Sequence, residues 1–104
     1  MKPAVLRPSA QADRQTAVRY YRRKATLAVA AKLVSAMSNA LRELERNPAI
    51  GSPTMGQTLG IDGLRTWRLD GFPLSYWYFE VQEHLDVARL VGHSQDPSAV
   101  AVSD

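Results

Sequence analysis

Five side chains carry the functional groups that proton transfer at a phosphodiester requires: His93, Arg65, Arg68 and Arg89, with Tyr78 as an acid. Cleavage without a metal takes a base for the attacking hydroxyl, an acid for the leaving oxygen and cations around the phosphorane. Each residue also has a plainer reading. His93 reads as a turn residue with a locally hydrogen-bonded ring, and His84 as a solvated turn residue. Strand alternation puts Arg65 and Arg68 on opposite faces, so simple strand geometry does not bring them into one pocket. Arg65 opens its strand and is expected to face solvent. Arg89 shares a face with Val87 and Val91 by alternation, and a half-buried arginine there calls for a carboxylate, Asp86 or Asp96. The two histidines are nine residues apart without an acidic framework, and there is no cysteine. No metal site, disulfide or thiol chemistry is expected, and no cofactor.

Trp67, Tyr76, Trp77, Tyr78 and Phe79 form a second group. They could stack bases, but such a run is first of all core. The excess over what one core face needs points to protein contact. Gly51 to Gly56 is not a phosphate cradle, because no lysine and no helix are read after it.

These residues need elements to position them. Ala4, Val5 and Leu6 read as a short strand that Pro8 closes. Ser9 is the expected N-cap of a first helix, with Asp13 at its positive end and Arg22, Arg23 and Lys24 at its negative end. That helix is poorly apolar and leaves Tyr20 and Tyr21 on a seam. Ala25 to Arg46 is the stronger helix: Val29, Leu33, Met37, Ala40, Leu41 and Leu44 recur at spacings of three and four. Asn47-Pro48 ends it, and 47–63 reads as a long loop. Three strands follow, 64–70, 74–81 and 85–91, and their short links imply an antiparallel meander. The order is β-α-α-β-β-β, an α+β fold in which a helical hairpin packs on a mainly antiparallel curved sheet. One domain spans 1–98, with a flexible C-terminal tail at 99–104.

The chain has 104 residues, 45% hydrophobic and 22% charged, which excludes a disordered or fibrous protein. Residues 1–46 hold ten basic groups against three acids, a net +7, while 47–104 hold three against seven, a net −4. The first half is suited to a polyanion or an acidic protein. No run of about 18 apolar residues occurs, so no membrane span is expected. The N-terminal stretch lacks a signal peptide's apolar core, which makes a cytoplasmic protein the expectation.

Four motifs in order then resemble one family. Pro8-Ser9-Ala10-Gln11-Ala12-Asp13 with Tyr20 resembles the opening helix of the ParE/RelE superfamily of bacterial toxins. Leu44 with Arg46-Asn47-Pro48-Ala49-Ile50-Gly51 is similar to its loop after the second helix. Gly63-Leu64-Arg65-Thr66-Trp67, Gly71-Phe72-Pro73-Leu74 and Tyr78 resemble its strand pair, and Arg89-Leu90-Val91-Gly92-His93 with Asp96-Pro97 its closing strand.

The resemblance implies the toxin of a type II toxin–antitoxin (plasmid stabilisation) system. It also implies a ParD-like cognate antitoxin and a hetero-oligomeric complex that binds operator DNA through the antitoxin. Two activities exist in the superfamily: ParE-like inhibition of DNA gyrase, and RelE-like cleavage of messenger RNA on the ribosome. RNA-cutting relatives tend to carry an arginine just after the Gly-His pair, a tyrosine near the C-terminus and basic loop residues. Here Ser94 follows His93, no tyrosine follows Tyr78, and 47–63 has no Lys or Arg. The expected reading is therefore a ParE-like inhibitor without catalytic residues, with Arg65, Arg89 and His93 catalytic under the RelE-like alternative. Tyr20, Tyr21, Leu33, Met37 and Trp77 are expected to bind the antitoxin. Arg65, Arg68, His93 and Asp96 are expected to bind the target.

Overall fold

The computed structural model describes residues 1–102. Strand β1 (Ala4–Leu6) leads into helix α1 (Pro8–Lys24), which turns through Ala25 and Thr26 into α2 (Leu27–Arg46). Pro8 does not merely close the strand. It sits at the first helical position, where its missing N–H costs nothing and its fixed φ suits the helix. Ser9 is accordingly inside the helix rather than at its cap, and its hydroxyl donates to the Ala88 carbonyl at 3.0 Å. Thr26 is the cap that holds: its Oγ1 accepts from Val29 N at 3.1 Å.

The stretch 47–63 is not a plain loop. It contains a 3₁₀ turn at Pro48–Ile50 and a short helix α3 (Thr54–Leu59), which ends at Gly60 with φ +69°. A side chain there would be strained, which is why glycine terminates the helix. Strands β2 (Leu64–Arg68), β3 (Leu74–Glu80) and β4 (Leu85–Gly92) follow as an antiparallel meander. The sheet order is β1-β4-β3-β2, and β1 lies parallel to β4.

The hairpin covers one sheet face. Leu33, Met37, Ala40 and Leu44 of α2 pack with Tyr76, Tyr78, Leu85, Val87 and Leu90. The other face carries Leu64, Trp77 and Val91, against which Met55, Phe79, Val100 and Val102 lie. The doubly aromatic β3 is thus covered on both sides.

A register shift lies opposite Trp77 and Tyr78: Trp77 pairs with Arg89 but Tyr78 pairs with Val87, leaving Ala88 as an extra residue. Such a bulge reverses the alternation beyond it. Leu85 and Val87 therefore face the helices, and so does Leu90, while Arg89 and Val91 face away. The expected face shared by Val87, Arg89 and Val91 does not form.

Two arginine–carboxylate forks tie the ends of the chain to this frame. Arg7 Nε and Nη2 donate to the two oxygens of Asp86 at 2.9 and 2.8 Å. Arg89 Nε and Nη2 donate to those of Asp13 at 2.8 and 3.0 Å. Each fork also holds a carbonyl of the C-terminal segment: Arg89 that of Ala101 at 2.9 Å, and Arg7 that of Val102 at 2.5 Å. Where the sequence reads a flexible tail from 99, the structure ties down 99–102 through these carbonyls and the packed Val100 and Val102. Residues 103 and 104 of that tail lie outside the described residues.

The sheet edges are occupied. On β1, Ala4 N donates to Glu45 Oε2 at 2.7 Å. On β4, past the end of β1, Leu90 N donates to Asp13 Oδ2 at 3.0 Å and Gly92 N to Gln95 Oε1 at 2.7 Å. On β2, Thr66 exchanges backbone hydrogen bonds with Ser52.

Candidate functional site

The structure separates the candidate chemical residues onto two faces. Arg65 and Tyr78 are cross-strand partners on the helix side. The Tyr78 hydroxyl donates to the Pro48 carbonyl at 2.7 Å and accepts from Gly51 N at 3.0 Å. Arg65 Nη1 donates to the Gly51 carbonyl at 2.7 Å and to that of Ala49 at 3.3 Å. Together the two side chains fasten residues 48–51 to the sheet. Gly51 lies so close that a Cβ there would overlap the Tyr78 ring and hydroxyl. Burial raises the Tyr78 phenol pKa, which the Gly51 N–H and Arg65 oppose in lesser measure. A fully buried phenol with two backbone partners is not placed to protonate a leaving group. Arg65, expected to face solvent, is half-buried and engaged by backbone carbonyls.

The opposite face carries His93, Ser75, Arg68 and Arg89. His93 Nε2 shares a hydrogen bond with Ser75 Oγ at 2.8 Å, and its backbone N donates to the Pro73 carbonyl. The ring expected to be bonded within its own turn is instead bonded to a neighbouring strand, at Ser75, 18 positions earlier on β3. Desolvation lowers its pKa, and the charge of nearby Arg68 lowers it further. Ser75, Thr66, Trp77, His93 and Gln95 with Met55 line a cavity of about 260 Å³.

Arg89 is not paired with Asp86 or Asp96; its carboxylate is Asp13 of α1. Asp86 belongs to Arg7. Asp96 Oδ1 instead accepts from Ser98 N and Ser98 Oγ at the start of the 3₁₀ turn Pro97–Ala99. The trio of Arg65, Arg89 and His93 that the RelE-like alternative requires is therefore not assembled: Arg65 lies across the sheet from the other two. Of the target candidates, Arg68, His93 and Asp96 are exposed.

The five residues expected at the antitoxin surface divide as well. Tyr20 is 49% exposed. Tyr21 is half-buried, its ring edge-on to Phe72 at 5.3 Å between centroids. Leu33 and Met37 are core residues, and Trp77 is buried on the other side of the sheet. Sequence reasoning missed a groove of about 320 Å³ between the helices, lined by Gln11, Arg14, Gln15, Val18 and Arg19 of α1 with Val34 and Met37 of α2. Val34 is the signal that could have found it: it stands one residue off the core stripe, about 100° round the helix, and is 44% exposed. Beside the groove, Arg14 Nε is buried without a hydrogen-bond partner, as is the Tyr76 hydroxyl. Burial pushes the Tyr76 pKa up to about 12 despite the charge of Arg14.

A family model described as the ParE toxin of the type II toxin–antitoxin system parDE matches residues 4–97. No curated protein sequence matches the chain. Among solved structures, a chain of the chromosomal ParDE toxin–antitoxin system from P. aeruginosa is 20% identical. The match covers 88% of this chain and 96% of that one with a TM-score of 0.74, so the two share a fold. Among the described residues, no helix is long and apolar enough to cross a membrane.

Proposed function

The chain belongs to the family of ParE toxins of type II toxin–antitoxin systems, and on that premise we propose that it inhibits growth by binding DNA gyrase rather than by cutting RNA. One observation carries this reading: the groups that metal-free RNA cleavage would need are divided between the two faces of the sheet. Arg65 and Tyr78 hold the 48–51 segment on one face, and Arg89 is engaged by Asp13 on the other. The exposed Arg68, His93 and Asp96 are the residues we assign to the target.

A cognate ParD-like antitoxin would neutralise the toxin. The groove between α1 and α2 supports a helical contact for it. Val18, Val34 and Met37 supply apolar lining, and Arg14 and Arg19 call for an acidic flank. Addition of an antitoxin strand to the sheet is the poorer alternative, because Glu45, Asp13, Gln95 and Ser52 already take edge groups.

The test is expression of the chain alone, with gyrase supercoiling and transcript integrity assayed separately. Loss of supercoiling with intact transcripts is the expected result. Ribosome-dependent cuts in primer extension, with supercoiling unaffected, overturn the proposal.

A further inference from the structure

The tip of the helical hairpin holds a concave site that adjoins the groove between the helices, with Arg19 lining both, and lies apart from the residues assigned to the target. Arg19, Arg22 and Arg23, near the end of α1, line a cavity of about 360 Å³ with Leu27, the first residue of α2. All three arginines are exposed, and among the described residues none has a carboxylate partner. The acid of α1, Asp13, is engaged by Arg89. The first turn of α2 carries no acid, so the positive end of that helix adds charge of the same sign.

The negative end of α1 accounts for some of this. Basic residues suit a helix C-terminus, but the dipole there is worth only about half an elementary charge. Arg19, Arg22, Arg23 and Lys24 bring four positive charges. Residues three and four apart on a helix have Cβ atoms about 5–6 Å from one another, so these guanidinium groups repel unless an anion lies among them.

The lining decides which anion. A protein partner needs an apolar centre under its contacts. Here Leu27 is the only apolar lining residue and is 69% exposed, whereas Val18, Val34 and Met37 furnish such a centre in the neighbouring groove. A sugar-phosphate backbone needs none: duplex DNA offers one negative charge per about 1.7 Å of axis, and guanidinium forks match phosphate oxygens. We propose that the hairpin tip binds the phosphate backbone of nucleic acid through Arg19, Arg22 and Arg23, without reading base sequence.

The test measures binding of the full chain to a 20-bp DNA duplex of arbitrary sequence by fluorescence anisotropy across a salt series. Log affinity should fall linearly with log salt, by about 0.9 per phosphate neutralised. The triple variant Arg19→Gln/Arg22→Gln/Arg23→Gln should flatten that slope by about 2–3, and each single variant by about 1. A control triple elsewhere on the hairpin, Lys32→Gln/Arg42→Gln/Arg46→Gln, removes the same charge and should change the slope by less than about 1. Equal losses from the two triples would reduce the effect to net charge and overturn the site. So would absence of binding at low salt, or polyglutamate displacing the duplex at equal charge concentration, which would mark an acidic-protein site. Because Arg22 and Arg23 line neither the groove nor the target surface, the double variant Arg22→Gln/Arg23→Gln should flatten the slope by about 2 and still inhibit supercoiling, which separates this test from that of the toxic activity.

Discussion

At the scale of single residues, the side chains that looked most like reagents are mostly fasteners. Tyr78 is 27 and 30 residues from the two backbone groups it holds, Gly51 N–H and the Pro48 carbonyl. Periodicity cannot reveal partners that lie in another segment, so the residue reads as core first, with acid and stacker beside it. Tyr78→Phe keeps the ring and removes both hydrogen bonds. An unpaired buried polar group costs about 1–3 kcal/mol, so urea denaturation should show a loss of about that size. Growth arrest should persist wherever the folded fraction stays high. If Tyr78→Phe abolished toxicity at unchanged stability, the hydroxyl would have to be acting on the target. His93 follows the same rule: in place of a local partner, its ring meets Ser75, 18 residues back on β3.

At the scale of elements, the amphipathic stripe of α2 and the short turns of the meander were legible because both are local signals. Three features were not. The bulge at Ala88 inserts one residue into an otherwise regular alternation, and nothing in Leu85 to Val91 marks it. Helix α3 has six residues, too few for a 3.6-residue period to be distinguished from a Gly/Pro-rich loop. Pro8 was read as a strand terminator although it is also a good first helical residue. Two of these features, the bulge and the start of α1 at Pro8, converge on the edge of β4, while α3 packs on β2. α1 starts where β1 stops, and its Asp13 meets both Arg89 and the Leu90 N–H just past the bulge. Asp13→Ala should therefore strip a charged pair and a backbone donor together, lowering stability by about 2–3 kcal/mol in urea and speeding amide exchange at Leu90. Asp96→Ala, which removes only a cap from a 3₁₀ turn, should cost about 1 kcal/mol or less. Equal losses from the two would mean that the Asp13 fork adds nothing beyond a surface ion pair.

At the scale of the whole molecule, charge and apolar surface are divided among three regions: a cationic hairpin tip, a mixed groove between the helices, and a far sheet face over which residues 99–102 are strapped. The halves of opposite charge were visible in composition, but the groove was not, because it depends on how α1 and α2 cross. That distinction decides which substitutions probe binding. Leu33 is fully buried in the core shared by α2 and the sheet. Leu33→Asp would place an unpaired charge there, so it should destroy the fold and leave no soluble toxin to assay. Tyr20 is half exposed on α1, edge-on to Tyr21 and outside the groove lining, and its exposed position can take a carboxylate with a stability change of about 0.5 kcal/mol or less. A new negative charge would nonetheless repel an acidic partner helix. Tyr20→Asp and Val34→Asp should therefore keep the thermal midpoint near wild type while reducing co-purification of the antitoxin severalfold or more. Full recovery of the antitoxin by both folded variants would move its binding site off the helical hairpin.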